Sequence, residues 1–192
     1  MATEIREVGT ESLPIYATIP ISFMAESEFC VELIDSGLGG FRFVEKQVEP
    51  YLKYDDGPSE ILNWPKRYDV SKWGVFIAFG DDRPVAGATV AANLSAGMTT
   101  PFESESVASL WDLRVHPDER KRGIGTMIFK YAADWARKKG FRHLKIETQN
   151  VNVPACRFYA KQGCKLGAIH RYGYSGFEDV AHEAMLLWYL SL

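Results

Sequence analysis

The stretch VASLWDLRVHPDERKRGIGTMIFKYAADWARKKGFRHLKIET (107–148) carries the pattern from which the fold can be predicted. Residues 107–115 are mostly apolar on both faces, which is typical of a strand inside a covered sheet. Apolar residues at helical spacing follow, Gly140 is a natural helix stop, and residues 143–148 predict another strand. The order predicts two parallel strands joined by a right-handed crossover through a helix over 123–139. The stripe of this helix expected to face the core comprises Ile124, Met127, Ile128, Tyr131, Ala132 and Trp135.

The residues between the first strand and the helix favour binding of an anion. The first turn of a helix carries unpaired N–H groups and about half a positive charge. Gly123 and Gly125 allow the backbone to approach a phosphate, and three neighbouring cations add positive field. A turn with solvated cations is the alternative, and neither GxxxxGK[ST] nor GxGxxG is present, since Ile128 stands where a third glycine belongs. The predicted pyrophosphate site consists of Arg120, Lys121, Arg122, Gly123, Ile124, Gly125 and Thr126.

The rest of the chain predicts the other elements of an α/β fold. Two prolines interrupt mixed helical periodicity over 10–35, and residues 54–69 are too rich in turn residues to assign. Gly87 predicts a bulge or a close approach of another element. Strands are expected over 4–8, 41–52, 73–80, 84–94, 165–174 and 182–192, a helix over 154–162 and a surface loop over 95–106.

Composition argues against several classes of protein. The chain has 192 residues, 46% of them apolar and 24% charged, which suits one globular domain. Its net charge of −3 does not favour nucleic-acid binding, and the longest apolar run, 184–190, is too short to span a bilayer. Three cysteines without CxxC spacing and an N-terminus without a signal-peptide core predict a reduced, cytoplasmic protein, in which the sequon at Asn93 is a chance match. The four histidines lack metal-binding spacing, so no metal is expected.

Two motifs together resemble the GNAT superfamily of N-acetyltransferases. Arg120-x-x-Gly123-x-Gly125 after a strand is similar to the family's pyrophosphate loop, R/Q-x-x-G-x-G/A. The segment NVPACRFYAKQGC (152–164) is similar to its N-x-x-A-x-x-x-Y-x-k-x-G-F segment, with Cys164 in place of the aromatic residue. The resemblance implies a central twisted mixed β-sheet of six to seven strands flanked by about four helices, with a parallel strand–helix–strand unit that binds the cofactor. It also implies acetyl-CoA as co-substrate, direct attack by an amine and no metal.

A closer resemblance, over roughly residues 75–190, is to the streptothricin (nourseothricin) acetyltransferases, a family of antibiotic-resistance enzymes. It rests on WDLRVHPDERKRGIG (111–125), ETQNVNVPACRFYAKQGCKLGAIHRYGY (147–174) and the final strand. It implies acetylation of an amine of streptothricin, in the β-lysine moiety. A protein lysine, an N-terminal amine or a small polyamine is the alternative acceptor, and a non-catalytic acyl-CoA-binding module is the alternative class. One domain is implied, with residues 1–70 on the acceptor side and 73–192 as the acetyl-CoA-binding core; a homodimer is a common assembly of the superfamily.

The resemblance also assigns roles to individual residues. Main-chain N–H groups of the glycine loop would hold the pyrophosphate, and the edge formed by Leu113 and Val115 would pair with the pantetheine amides as an added strand does. Asn152 and Ala155 would contact the pantetheine arm. Tyr159, two helical turns beyond Asn152, would protonate the departing thiolate. The alternatives are a helix cap for Asn152 and a core aromatic for Tyr159.

The candidate bases and acceptor-binding carboxylates are Asp112 and Glu147. Both lie on predicted central strands, where burying a carboxylate costs free energy unless it is paired or has a function. A structural ion pair with a nearby cation such as Arg114 is the alternative. Tyr172 and Tyr174 would line the acceptor cleft by cation–π contact, unless they only pack. Acidic residues would attract a cationic acceptor, although a solvated acidic face is commoner. These residues are Glu26, Glu28, Glu32, Asp35, Glu103 and Glu105.

Overall fold

The computed structural model describes residues 3–53, 57–92 and 105–192. The elements are β1 (Thr3–Val8), α1 (Leu13–Tyr16), β2 (Phe23–Leu33), β3 (Phe41–Lys53), α2 (Pro58–Arg67), β4 (Gly74–Gly80), β5 (Arg83–Ala91), β6 (Val107–Val115), α3 (Ile124–Lys138), β7 (His143–Gln149), α4 (Val153–Lys161), β8 (Lys165–His170) and β9 (Met185–Ser191). Seven strands form one mixed sheet in the order β1-β4-β5-β6-β7-β9-β8, and β2 and β3 form a separate two-stranded sheet. The predicted α/β class, with a mixed sheet of six to seven strands, is confirmed.

The chain divides into two compact units, and the first comprises Met1–Ser22, Tyr54–Ile146 and Leu190–Leu192. Within this unit β1, β4, β5 and β6 pair antiparallel in that order. Strand β6 pairs parallel with β7, from Val107 opposite His143 to Leu110 opposite Ile146. The helix between these two strands in sequence is α3, so the predicted parallel strand–helix–strand unit is confirmed.

Helix α3 has the predicted ends but a different buried face. Gly123 at its start and Gly140 beyond its end have φ of +85° and +89°, a left-handed conformation that favours glycine. Met127 and Tyr131, which were predicted to face the core, are exposed. Small alanines and Phe129 bring another side of the helix against the sheet, which rotates the buried arc away from the predicted stripe. The buried residues are Ile124, Ile128, Phe129, Ala132, Ala133, Trp135 and Ala136.

The core of the first unit explains the glycine in β5. A Cβ atom at Gly87 would overlap the ring of Tyr16, which is fully buried. The predicted close approach is therefore correct, whereas the bulge of β5 lies between Thr89 and Val90. The stretch 54–69 left unassigned by its turn residues contains α2, which buries Trp64 in the same core. Residues 54–56, the sequon at 93–95 and most of the predicted 95–106 loop lie outside the described residues.

The second unit comprises Phe23–Lys53 and Glu147–Tyr189. The expectation of helical structure over 10–35 is wrong for Phe23–Leu33, which forms β2 and pairs antiparallel with β3. Buried Phe23 and Ala25 alternate with exposed residues, so burial at the start of this strand repeats every two residues, as in a β-strand with one covered face. The predicted strand over 165–174 ends at His170, and the residues that follow form turns.

No helix among the residues that the structure describes is both long and apolar enough to cross a membrane. Cys30, Cys156 and Cys164 are all free thiols. The cytoplasmic location, the single domain over 1–192 and the homodimer stay predictions.

Candidate active site

The start of α3 has the backbone geometry of an anion site. The first helical hydrogen bond runs from the Met127 N–H to the Gly123 oxygen at 3.1 Å, so the N–H groups of Ile124 and Gly125 lie ahead of it. No side chain caps this helix, and no acidic residue lies in its first turn. Lys121 also has a positive φ, of +62°. Two left-handed residues within three positions turn the backbone sharply into the helix, in the stretch where the sequence predicts the pyrophosphate.

Gly123 is favoured at the start of α3 by its backbone conformation, with φ of +85°. A Cβ atom built there meets no heavy atom within 4 Å. The cost of another residue would come from φ, since the left-handed conformation costs an L residue about 1–2 kcal/mol. The predicted crowding of a side chain at Gly123 concerns the bound phosphate and stays a prediction. The neighbouring Gly125 is half-buried in the first turn.

Two of the three cations in the loop are held by the protein itself. Arg120 donates from Nε to the Val115 oxygen at 3.0 Å and from Nη2 to the Ser22 oxygen at 2.7 Å. Arg122 pairs with the buried carboxylate of Glu119, which also accepts from Arg83. The side chain of Lys121 is exposed. The positive field that the three side chains would add at this loop stays a prediction.

The carboxyl half of β6 presents an edge for an extended ligand. Parallel pairing with β7 ends at Leu110, whereas pairing with β5 continues to Val115. Leu113 and Val115 are half-buried. Beyond Leu110 the described ladder has a partner strand on one side only, which leaves main-chain groups for added-strand pairing of the kind proposed for pantetheine.

Asp112 lies in a buried ion pair. Arg114 donates from Nε to Oδ1 at 2.8 Å and from Nη2 to Oδ2 at 2.6 Å, and the Tyr16 hydroxyl also donates to Oδ1. Burial opposes the charge of Arg114, but the hydrogen bonds and charge of Asp112 outweigh it and raise the pKa of the guanidinium. Both carboxylate oxygens are thus occupied, which favours the structural alternative for Asp112 over the role of base.

Glu147 has a different environment from Asp112. It is exposed, although the sequence predicted partial burial, and it accepts a hydrogen bond from the Tyr174 hydroxyl at 2.9 Å. The ring of Tyr174 is buried with Met185 and Leu187, so a packed aromatic orients an accessible carboxylate. Tyr172 is 68% exposed. Of the two candidate carboxylates, Glu147 is the exposed one and Asp112 is the buried one.

Helix α4 carries the second motif. Its N-cap is Asn152, whose Oδ1 accepts from the Ala155 N–H at 3.2 Å, so the predicted cap is present. Tyr159 is 6% exposed, and its ring meets Phe158 edge to face. The capping oxygen of Asn152 is occupied, so the predicted contact with pantetheine would fall to its amide N–H₂ group.

The acidic residues suggested as an attractive surface belong to different parts of the chain, and their joint role stays a prediction. Glu26, Glu28 and Glu32 lie on β2, where Glu28 accepts from the Cys30 thiol and Glu32 pairs with Lys46 at 3.4 Å. The remaining members are Asp35, which is exposed in the turn after β2, Glu105, which is exposed in the first unit, and Glu103, which lies outside the described residues.

Sequence reasoning missed two buried polar groups. Tyr16 fills the space over Gly87 and donates to Asp112; the unusual glycine in β5 was the only sign of it. Burial, followed by the charge of Asp112, raises the pKa of Tyr16, so its hydroxyl keeps its proton. In the second unit Lys53 pairs with Glu183, which is 2% exposed. No local sequence pattern could predict this pair, because the two residues lie 130 positions apart.

A comparison with protein families identifies the chain. The Acetyltransferase (GNAT) family matches residues 42–164, which include both motifs. The chain belongs to this family. The GNAT resemblance predicted from the motifs and the assignment as an acetyltransferase are therefore confirmed. Within the described parts of the chain, no group of three or more His, Cys, Asp or Glu residues is placed to hold a metal ion.

Several relatives of this GNAT chain are named streptothricin acetyltransferases. Streptothricin acetyltransferase of Escherichia coli is 29% identical over 170 residues, covering 87% of this chain and 84% of the relative. The protein of that name from Streptomyces lavendulae is 28% identical over 169 residues, covering 86% and 83%. Streptothricin acetyltransferase A of Bacillus subtilis (strain 168) is 40% identical over 82 residues, which span 43% of this chain and 47% of that protein.

Solved structures share the GNAT fold over the whole chain. A Bacillus anthracis (str. Ames) protein, provisionally designated a streptothricin acetyltransferase and solved with acetyl coenzyme A, superposes with a TM-score of 0.78 at 23% identity, covering 100% of this chain and 98% of that one. Nourseothricin acetyltransferase superposes with a TM-score of 0.75 at 24% identity, covering 100% and 99%. At these identities the likeness shows the fold.

Proposed function

We propose that this GNAT enzyme transfers an acetyl group from acetyl-CoA to an amine of streptothricin, in its β-lysine moiety, and so confers resistance to that antibiotic. The observation that carries the proposal is similarity to two streptothricin acetyltransferases over 170 and 169 residues, well beyond the two motifs. We further propose that residues 1–192 act as one domain, in which 73–192 bind acetyl-CoA and 1–70 contribute to acceptor binding.

The donor side rests on main-chain groups. The N–H groups of the loop at the start of α3 hold the pyrophosphate of the co-substrate, helped by the positive end of the helix dipole. The main chain at Leu113 and Val115 pairs with the pantetheine amides, because β6 has no partner strand on that side beyond Leu110 in the described ladder. Asn152 and Ala155 at the start of α4 contact the pantetheine arm.

The acceptor side needs a carboxylate that reaches solvent. Glu147 binds the acceptor ammonium and takes its proton, directly or through water, and the Tyr174 hydroxyl at 2.9 Å keeps its carboxylate oriented. Tyr172 adds aromatic surface. The free amine nitrogen then forms the C–N bond at the thioester carbonyl, and the C–S bond breaks. Tyr159 gives a proton to the departing thiolate. The amide nitrogen releases its second proton to water, and the tyrosinate regains a proton from water, which restores the enzyme. Asp112 takes no part in these steps, because Arg114 and Tyr16 occupy both of its oxygens.

Release of free thiol tests the proposal. Purified chain with acetyl-CoA and nourseothricin should release CoA in proportion to acetylated antibiotic, and tandem mass spectrometry should place the acetyl group on β-lysine. Expression in a sensitive bacterium should raise the inhibitory concentration of nourseothricin, and the Glu147→Gln variant should not. Thiol release no faster than in the control without antibiotic would end the assignment of this acceptor.

A protein N-terminal amine is the second candidate acceptor. A Bacillus subtilis (strain 168) protein provisionally designated a ribosomal protein bS18-alanine N-acetyltransferase is 27% identical over 81 residues, which span 42% of this chain. A panel of acceptors under the same conditions, including an alanine-terminated peptide, a lysine peptide and spermidine, separates these readings. Tight acetyl-CoA binding with no turnover on any amine would instead indicate an acyl-CoA-binding module.

A further inference from the structure

Arginines hold the carboxyl half of β6, beyond the point where its parallel pairing with β7 ends. Strand β7 pairs with β6 only as far as Leu110, and β5 supports the remaining half from one side. This half ends at Val115, directly before the loop that leads into α3. Something must fix its position if it is to pair with an extended ligand.

Two guanidinium groups reach from this region to one short segment of the chain. Arg114 donates from Nη1 to the Ile19 oxygen at 3.1 Å while Asp112 holds its other donors. Arg120 donates to the Ser22 oxygen at 2.7 Å and to the Val115 oxygen at 3.0 Å. The connector of residues 19–22 is thus tied at both ends to β6 or to its end.

Arg120 bridges two main-chain carbonyl groups and does not extend freely into solvent. Its guanidinium is part-buried, and burial lowers its pKa from the usual value. No carboxylate among the described residues pairs with it, and both of its hydrogen bonds go to main-chain oxygens that lie 93 residues apart in sequence. Forked donors at fixed angles suit two carbonyl groups, whereas the ammonium of lysine is a compact point charge.

We propose that Arg120, the first residue of the glycine-loop motif, acts as a positioning residue that joins the Val115 and Ser22 carbonyls and so holds the edge of β6 in place for the pantetheine arm. This inference rests on the proposed use of acetyl-CoA. It assigns the effect of Arg120 to its hydrogen-bond geometry and not to attraction of phosphate. The neighbouring Lys121 is exposed, and it serves as the control for an effect of charge alone.

Calorimetric titration with acetyl-CoA separates geometry from charge without any acceptor. The dissociation constant is measured for wild type, Arg120→Lys, Arg120→Gln and Lys121→Gln between about 50 and 400 mM KCl, a range over which screening changes strongly. Arg120→Lys and Arg120→Gln should both raise the dissociation constant about tenfold at every salt concentration, with the wild-type salt slope. Lys121→Gln should flatten the slope. Recovery of wild-type affinity in Arg120→Lys, or a flattened slope in Arg120→Gln, would overturn the proposal.

Two further measurements exclude a merely structural effect. In Arg120→Ala, free guanidinium should restore affinity and an equal concentration of ammonium should not. A lowered Tm with unchanged affinity would refute the positioning role. Should the variants fail to fold, a crystal structure of the wild-type chain without ligand still decides: the Arg120 guanidinium should donate to the Ser22 and Val115 oxygens, and contacts that form only with acetyl-CoA would contradict a preformed bridge. Failure of wild type to bind acetyl-CoA would count against the proposed function itself.

Discussion

Arg114 binds Asp112 through two hydrogen bonds, from Nε to Oδ1 at 2.8 Å and from Nη2 to Oδ2 at 2.6 Å. Both residues lie on one face of β6, and both side chains are almost completely buried. With Tyr16 as a third member, the cluster satisfies a carboxylate that would otherwise be available for chemistry. The structure thereby separates two carboxylates that the sequence treats alike, since Glu147 remains exposed.

Asp112→Asn should destabilise the fold strongly, because it leaves the buried Arg114 cation without its anion. Loss of one partner of a buried pair typically costs about 3–5 kcal/mol, to be measured as the free energy of unfolding in urea. Asp134→Asn, which breaks the exposed pair with Arg137, is the control and should change stability little. An Asp112→Asn protein of wild-type stability that had lost turnover would return Asp112 to the catalytic site.

Glu147→Gln should lower kcat/KM for a cationic amine by about 100-fold, because the amide can neither balance the ammonium charge nor take its proton. The dissociation constant for acetyl-CoA should not change. Tyr174→Phe removes only the hydrogen bond that orients the carboxylate and should have a smaller effect in the same direction. Equal kcat/KM in wild type and Glu147→Gln would remove Glu147 from the acceptor site.

Tyr159→Phe should lower kcat by about 100-fold while leaving the affinity for acetyl-CoA intact, because only the acid that protonates the thiolate is lost. Single-turnover kinetics with saturating acetyl-CoA measure the effect. The matched control is Tyr131→Phe, which removes a hydroxyl from an exposed side chain on α3. Wild-type turnover in Tyr159→Phe would mean that another group protonates the leaving thiolate.

Gly123→Ala should weaken acetyl-CoA binding and lower the free energy of unfolding by about 1 kcal/mol, because alanine is strained at a φ of +85°. Gly123→Asn should do less harm, since asparagine tolerates the left-handed conformation better. Gly123→Asp adds a negative charge and should bind worst. Gly176→Ala, at a glycine with open space and no positive φ, controls for the extra methyl group. Equal affinities across the series would contradict the pyrophosphate loop.

The thiol groups should differ in reactivity. Burial raises the pKa of Cys156 and of Cys164 from 9.0 to about 11, so both stay protonated and unreactive at pH 8. Cys30 is only half-buried and should be the one thiol that a disulfide reagent titrates before unfolding, a signal that Cys30→Ser removes. Because the folded-state pKa lies above the unfolded one, the stability contributed by these thiols is complete below pH 9 and is lost as pH rises toward 11. Rapid reaction of all three thiols at pH 8 would contradict the burial.

Much of the fold could be predicted because its markers are local. A glycine is needed where φ is positive, as at Gly123 and Gly140, and an asparagine caps the helix three residues before the N–H that it accepts from. The start of β2 was misassigned because only its first buried residues alternate cleanly, and its partner strand is what stabilises it. The buried face of α3 was misjudged because apolar character alone does not say which side meets the sheet.

The sequence by itself determined the reaction class and the position of the glycine loop at which we propose that the phosphates bind, because the conformation of that loop follows from a few glycines and a helix start. Only the tertiary structure decided which charged side chains are bound inside the protein and which are exposed. Asp112 is bound by a tyrosine 96 residues away and Arg120 by a carbonyl group 98 residues away. Such pairings follow from the packing of distant segments. For the buried Asp112 the pairing is obligatory, since an unpaired polar group in the core costs more than the bond contributes.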